Sequence, residues 1–249
     1  MNGWTADGLR AGGTALGGTE KVLIFDADDT LWENNVIFER VIEEFLDWMT
    51  DPEIGLRLGR EGVRAALDAV EAANAEVHGY GSKVFLRSLG ECLAQLHGRD
   101  ATAAELGRIA AWAASFDGGT VELIPGVAAT LAELAGRHEL LLLTKGDAEE
   151  QRRKVDNSAL AHHFRGVHIV AEKDVGTYRN LAREYALTPE SAWMIGNSPK
   201  SDILPARAAG MNAVFIPNDN TWVLEHSELD PADERVLRLS AFTELLHHF

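Results

Sequence analysis

The sequence predicts an α/β protein, a parallel sheet core carrying an all-helical insertion. Three observations lead there. Short apolar runs recur at 22–25 (VLIF), 140–143 (LLLL), 167–170 (VHIV), 192–195 (AWMI) and 213–216 (AVFI). Runs this short and apolar read as strands buried on both faces. Helical patterns at 126–137, 147–163, 176–186 and 200–209 separate the later runs. Strands alternating with helices build a parallel sheet. Between the first two runs, residues 35–118 carry helical patterns only.

In chain order, residues 1–19 are rich in Gly, Ala and Thr and lack a signal-peptide apolar segment. They read as a flexible tail. A core would comprise 20–34 and 119–249. Within 35–118, helical patterns lie near 35–50, 53–76, 82–97 and 102–115. An insertion this long after one strand reads as a helical cap domain over the sheet. Asp117, Gly118 and Gly119 form a candidate hinge. Residues 217–249 are polar with scattered apolar positions and are expected to wrap the sheet edge.

Composition limits the function. With 249 residues and 46% hydrophobic content, the chain can bury a substantial core. A net charge of −16 repels nucleic acid and anionic lipid. No apolar run is long enough for a transmembrane helix. Cys92 is the only cysteine, so no internal disulfide forms, which fits a reducing, cytoplasmic setting. An anionic substrate would need local positive charge to overcome the global field.

Open parallel sheets bind ligands beyond the carboxyl ends of their strands. Strand one ends in Asp26, Asp28, Asp29 and Thr30. Strand two ends in Thr144, Lys145, Gly146 and Asp147. Lys173 follows strand three, and Gly196-Asn197-Ser198-Pro199-Lys200-Ser201-Asp202 follows strand four. Asp26 and Asp202 can jointly hold a hard divalent cation, with Mg²⁺ the first choice. Thr144 and Lys173 suit phosphate oxygens. Asp26 can attack phosphorus to give an aspartyl-phosphate, and Asp28 can protonate the leaving oxygen and then activate water. Lys145 is a poorer phosphate-ligand candidate than Lys173, the other reading being an ordinary surface or supporting lysine. Asp29 reads as structural or solvated, and Asp147 as a helix cap.

These stretches resemble the haloacid dehalogenase (HAD) superfamily. DADDT at 26–30 is similar to its DxDxT motif, and Thr144 to its second-motif Ser or Thr. Lys173 resembles the third-motif lysine, and GNSPKSD at 196–202 the acidic fourth motif. The helical insertion stands where the superfamily's type-one cap stands. The resemblance implies a Rossmann-like, HAD-like core, with Asp26 as nucleophile and Asp28 as acid and base. It further implies Mg²⁺ held by the Asp26 carboxylate, the Asp28 backbone carbonyl and Asp202. The fourth motif often begins Gly-Asp, but here it begins Gly196-Asn197. An amide oxygen can still coordinate, with one charge fewer. HGYGSKVF (78–85), LLTKGD (142–147) and WMIGNSPKSDILPA (193–206) are similar to a phosphatase or hydrolase subgroup.

The cap holds a second candidate site. Gly79-Tyr80-Gly81-Ser82-Lys83 lies between two helices. Either Tyr80 and Lys83 close over the substrate, or the segment is a helix–helix turn with Ser82 as N-cap. Trp48, Trp112 and Trp193 read as core, and Trp32 as a candidate for the site entrance. The expected activity is Mg²⁺-dependent hydrolysis of a small phosphorylated metabolite, in the sugar phosphate or nucleotide monophosphate class. The alternatives are a haloacid dehalogenase-type hydrolase and a catalytically weak phospho-ligand-binding protein.

Overall fold

The computed structural model describes residues 21–54, 56–116 and 121–249. The expected tail and the expected hinge at 117–119 lie outside them. Six strands form one sheet: β1 (Val22–Phe25), β2 (Glu139–Lys145), β3 (Gly166–Val170), β4 (Ala192–Gly196), β5 (Asn212–Phe215) and β6 (Val236–Arg238). Their order is β3-β2-β1-β4-β5-β6, and every pairing is parallel. From β1 the chain builds outward on one side, then crosses back to add β4 on the other. The order therefore reverses around β1, where a crevice opens at the strands' carboxyl ends.

Residue alternation along each strand separates two apolar layers. Leu23, Phe25, Leu140 and Leu142 face α5 (Val127–Leu134) and the chain end, where Phe242, Leu245 and Phe249 pack. Ile24, Leu141, Leu143 and Met194 face α7 (Val175–Glu184) and α8 (Leu204–Ala208) through Tyr178, Leu181 and Ala206. Covering both faces explains why these strands read as continuous apolar runs rather than alternating ones.

The insertion folds as α1 (Asn35–Met49), α2 (Arg60–His78), α3 (Ser82–His97) and α4 (Ala103–Ala111). Its apolar residues form a cluster of their own, including Val41, Phe45, Leu67, Leu89 and Trp112. Trp48 and Trp112 meet edge to face with centroids 6.1 Å apart.

Several boundaries differ from expectation for local reasons. Helix α2 starts at Arg60 rather than 53, because Gly59 is extended (φ −77°, ψ 174°) and ends the preceding turns. Helix α6 (Ala148–Ser158) stops short of 163 because Ala159 is left-handed, with φ 57°. The expected helix 200–209 is divided into a π-turn at Pro199–Ile203 and α8. Residues 217–249 do more than wrap an edge. They supply β6, paired beside β5 through Val214 and Leu237, and a 3-10 turn at Phe242–His247 that enters the core.

If the helical layer is packed as described, Leu67→Ala should cost about 2–5 kcal/mol of unfolding free energy. Urea denaturation measures this, and a loss below about 1 kcal/mol would contradict the burial of Leu67.

Candidate active site

Four strand ends deliver the site. Strand β1 delivers Asp26, which is 6% exposed, and β4 leads through Asn197 to Asp202, which is 1% exposed. Lys173, just beyond β3, lies between them. Its Nζ donates to Asp26 Oδ1 at 2.5 Å and to Asp202 Oδ1 at 2.7 Å. Burial opposes its charge, but the two carboxylates outweigh burial and raise the Lys173 pKa. Burial raises the Asp202 pKa too; Lys173 opposes that rise and the Asp26 charge adds to it. Two buried carboxylates share a single ammonium, so a net negative charge remains.

Local backbone geometry fixes Asp202. Its Oδ2 accepts the Ser198 N–H at 2.9 Å, and Ser198 Oγ caps the π-turn by accepting from the Ser201 N–H. A Cβ on Gly196 would stand 2.2 Å from Asp202 Oδ2, so only glycine allows this approach. Thr30 Oγ1 donates to Asp26 Oδ2 at 2.8 Å and to Asn197 Oδ1 at 3.3 Å. The Asn197 amide donates in turn to Thr221 Oγ1 at 3.0 Å, which leaves its oxygen turned toward the Asp26 side. Asp26, Asp202 and the Asn197 amide oxygen present hard oxygen donors of the kind a divalent cation takes, although among the described residues no three His, Cys, Asp or Glu side chains come together as a metal cluster.

Asp28 is held differently. Its carboxylate accepts from Trp32 Nε1 at 2.7 Å, Gln151 Nε2 at 2.8 Å and Lys154 Nζ at 2.8 Å. Burial pushes its pKa up, yet Lys154, Gln151 and Trp32 outweigh burial and hold it below the usual carboxylate range. Lys154 also donates to Asn34 Oδ1 at 2.8 Å. Asp29 is structural. Its φ is 61°, and its Oδ1 accepts the N–H groups of Asn34 and Asn35 at 2.9 and 3.0 Å, starting α1. Burial pushes its carboxyl up to about 7.

A cavity of about 160 Å³ lies between these strand ends and the inner faces of α1, α2 and α3. It is lined by Asp26, Asp28, Thr144, Lys173, Asn197 and Asp202, and also by Lys145 and Tyr80. The sequence-predicted residues therefore converge, with one exception. Lys83 is absent from the lining. Its side chain is 77% exposed and lies 3.9 Å from Asp147 and 4.0 Å from Glu149, so its placement does not favour substrate contact. Trp32 is 1% exposed and positions Asp28 rather than lining the entrance.

Lys145 is half of a second polar group. Its Nζ donates to Glu225 Oε1 at 2.6 Å and Ser201 Oγ at 2.9 Å, and it lies 4.1 Å from the Tyr80 ring centroid. Tyr80 Oη donates to Glu172 Oε2 at 2.6 Å, and its ring meets Trp222 edge to face. The 79–83 loop thus touches the core. Gly81 has φ 124°, and a Cβ there would lie 3.2 Å from Glu150 Oε2. That oxygen accepts from both Ser82 N and Ser82 Oγ at 3.0 Å. Ser82 is not an N-cap; a carboxylate from α6 takes the helix-starting N–H instead. Asp147 is a cap, accepting from the Glu149 and Glu150 N–H groups.

Sequence reasoning missed Gln151, Lys154, Glu225 and Trp222. Gln151 and Lys154 stand three apart on α6 directly after Asp147, a spacing that puts them on one helix face. That spacing was the available signal. Glu225 and Trp222 come from the irregular C-terminal segment, where no periodicity marks them.

Residues 20–210 match the model of the haloacid dehalogenase-like hydrolases. The chain is 31% identical over 232 residues to a phosphoserine phosphatase of Thermus thermophilus, covering 79% of this chain and 88% of that protein. Among solved structures, a haloacid dehalogenase-like family hydrolase from Xanthomonas campestris is 28% identical with a TM-score of 0.77, covering 93% and 95% of the two chains. An L-2-haloacid dehalogenase from Xanthobacter autotrophicus, 16% identical, shares the fold with a TM-score of 0.59, covering 92% and 98%. An acid-bearing loop after β1, a shared lysine after β3 and the match across 20–210 converge on one conclusion: the chain belongs to the haloacid dehalogenase-like hydrolase family.

Proposed function

We propose that the protein is a Mg²⁺-dependent phosphomonoesterase acting on a small phosphorylated metabolite through an aspartyl-phosphate. The observation that carries this is the pair Asp26 and Asp202 around Lys173, next to a second acid, Asp28, held at its own set of donors. A phosphatase needs two acids and a cation site, whereas a dehalogenase of this fold needs only the nucleophile. The 31% identical relative named as a phosphoserine phosphatase supports the same choice.

In this reading Asp26 and Asp202, the Asp28 carbonyl and the Asn197 amide oxygen would hold Mg²⁺. The ion supplies electrostatic stabilisation to the phosphoryl oxygens when bound. Lys173 and Thr144 orient the phosphoryl group, and Lys145 borders it. An Asp26 carboxylate oxygen forms a bond to phosphorus as the bond to the leaving oxygen breaks. The leaving oxygen takes its proton from Asp28, which must pick one up from solvent as the substrate's dianionic phosphate enters beside it, against the hold of Lys154, Gln151 and Trp32 in the free protein. Asp28 then accepts a proton from water, whose oxygen attacks the phosphoryl group and frees Asp26. Lys154 and Gln151 keep the Asp28 carboxyl aimed into the cavity. Residues 35–118 act as the cap that excludes bulk water.

Three results are expected. Asp26→Asn should abolish turnover of phosphate esters and leave the fold intact by circular dichroism; near-native turnover would sink the nucleophile assignment. Chelation by EDTA should remove p-nitrophenyl phosphatase activity, and excess Mg²⁺ should restore it. Activity undiminished in chelator would favour the dehalogenase reading. Lys154→Met should lower kcat about 10- to 100-fold with a smaller change in KM, because Asp28 loses its orientation. An unchanged kcat would remove Lys154 from that role.

A further inference from the structure

The cavity has a second end, against the helical layer. Glu71 lines it from α2. This residue is 8% exposed, and among the described residues its Oε2 is buried without a hydrogen-bond partner. Other acids in the wall are engaged. Glu39 accepts from two guanidinium nitrogens of Arg64, at 2.7 and 3.0 Å. Glu150 accepts from Ser82, and Glu225 from Lys145, Ser198 and Ser201. Asn74, one turn further along α2, is also committed: it donates to Ser88 and Glu91. A buried acceptor left unmatched by its own protein is costly to keep and calls for another partner.

The charge balance says what kind of partner. Nine carboxylate side chains and three lysines line the cavity. Each lysine is already held: Lys173 by Asp26 and Asp202, Lys154 by Asp28, and Lys145 by Glu225. None is left over for Glu71. Burial pushes the Glu71 carboxyl up to about 8; Asp68 adds to the rise, Arg64 opposes it and Glu39 adds again. A neutral hydroxyl could donate to Oε2 but would leave the surplus of acids. An ammonium group satisfies both.

We propose that Glu71 is a specificity-determining residue that receives an ammonium group on the leaving alcohol. The substrates are then phosphate monoesters of small amino alcohols or hydroxy amino acids. The phosphate lies at the Asp26 end and the amine at the α2 end. This inference rests on the phosphatase reading and narrows its substrate class.

The test compares matched esters on the full chain with Mg²⁺. Phosphoethanolamine and O-phosphoserine are paired with ethyl phosphate and 3-(phosphonooxy)propionate, which lack the ammonium. The wild type should prefer the amine-bearing member by at least about tenfold in kcat/KM, the value of one well-made charged contact. Glu71→Gln, close in shape to the protonated acid, should erase most of that preference, chiefly through KM. Glu71→Asp should keep part of it and serves as the second variant if the amide disturbs folding. No preference in the wild type, or a preference unchanged in Glu71→Gln, overturns the assignment of Glu71. No turnover of any ester overturns the phosphatase reading itself, so the two failures are distinguishable.

Discussion

One buried ammonium organises this molecule. The Lys173 side chain stands between Asp26 and Asp202, two carboxylates from distant parts of the chain that would otherwise repel each other at close range. Its position ties the end of β1 to the π-turn after β4. Removing the ammonium would leave two buried acids unbalanced, a loss of several kcal/mol in comparable buried pairs. The same contact gathers carboxylate oxygens from two strand ends at one point. Two tight features around it serve that arrangement. Gly196 has no room for a side chain, and the backbone turns sharply at Asp29.

The wall facing that centre is not part of the sheet. It comes from helices with an apolar cluster of their own, so its inner surface can hold polar groups without disturbing the sheet core. The 79–83 loop is tied to the core at two places, through Tyr80 on Glu172 and Ser82 on Glu150. Those contacts set how far the helical layer stands from the strand ends, and hence the length of ligand that fits.

The sheet was legible because its strands are buried on both faces and flanked by charge, a contrast that survives in a single sequence. The acids and Lys173 were legible because strand ends in such a sheet converge on one edge. Strand β6 was not. Three residues, VLR, carry no periodicity, and their extended form depends on the β5 edge beside them. Lys154 was hidden among the charged residues of α6, since which of them turns inward is set by the packing of Val155 against the sheet. Glu225 belongs to a segment without a pattern and enters the site only because the chain returns there after β5. Lys83, conversely, looked favourable beside Tyr80, but the start of α3 turns it outward toward Asp147 and Glu149.

Helix α6 has a position that matters for how the protein can change over generations. Within two turns it presents Glu150 to the start of α3, and Gln151 and Lys154 to Asp28. The residue that receives the helical layer and the residues that hold Asp28 are therefore neighbours on one helix. A substitution that shifts the layer to admit a new ligand also tilts that helix. Under the proposed roles of Asp28 and Glu71, selectivity and turnover are inherited together, and variants that alter one without the other should arise away from α6, on the α2 side of the cavity.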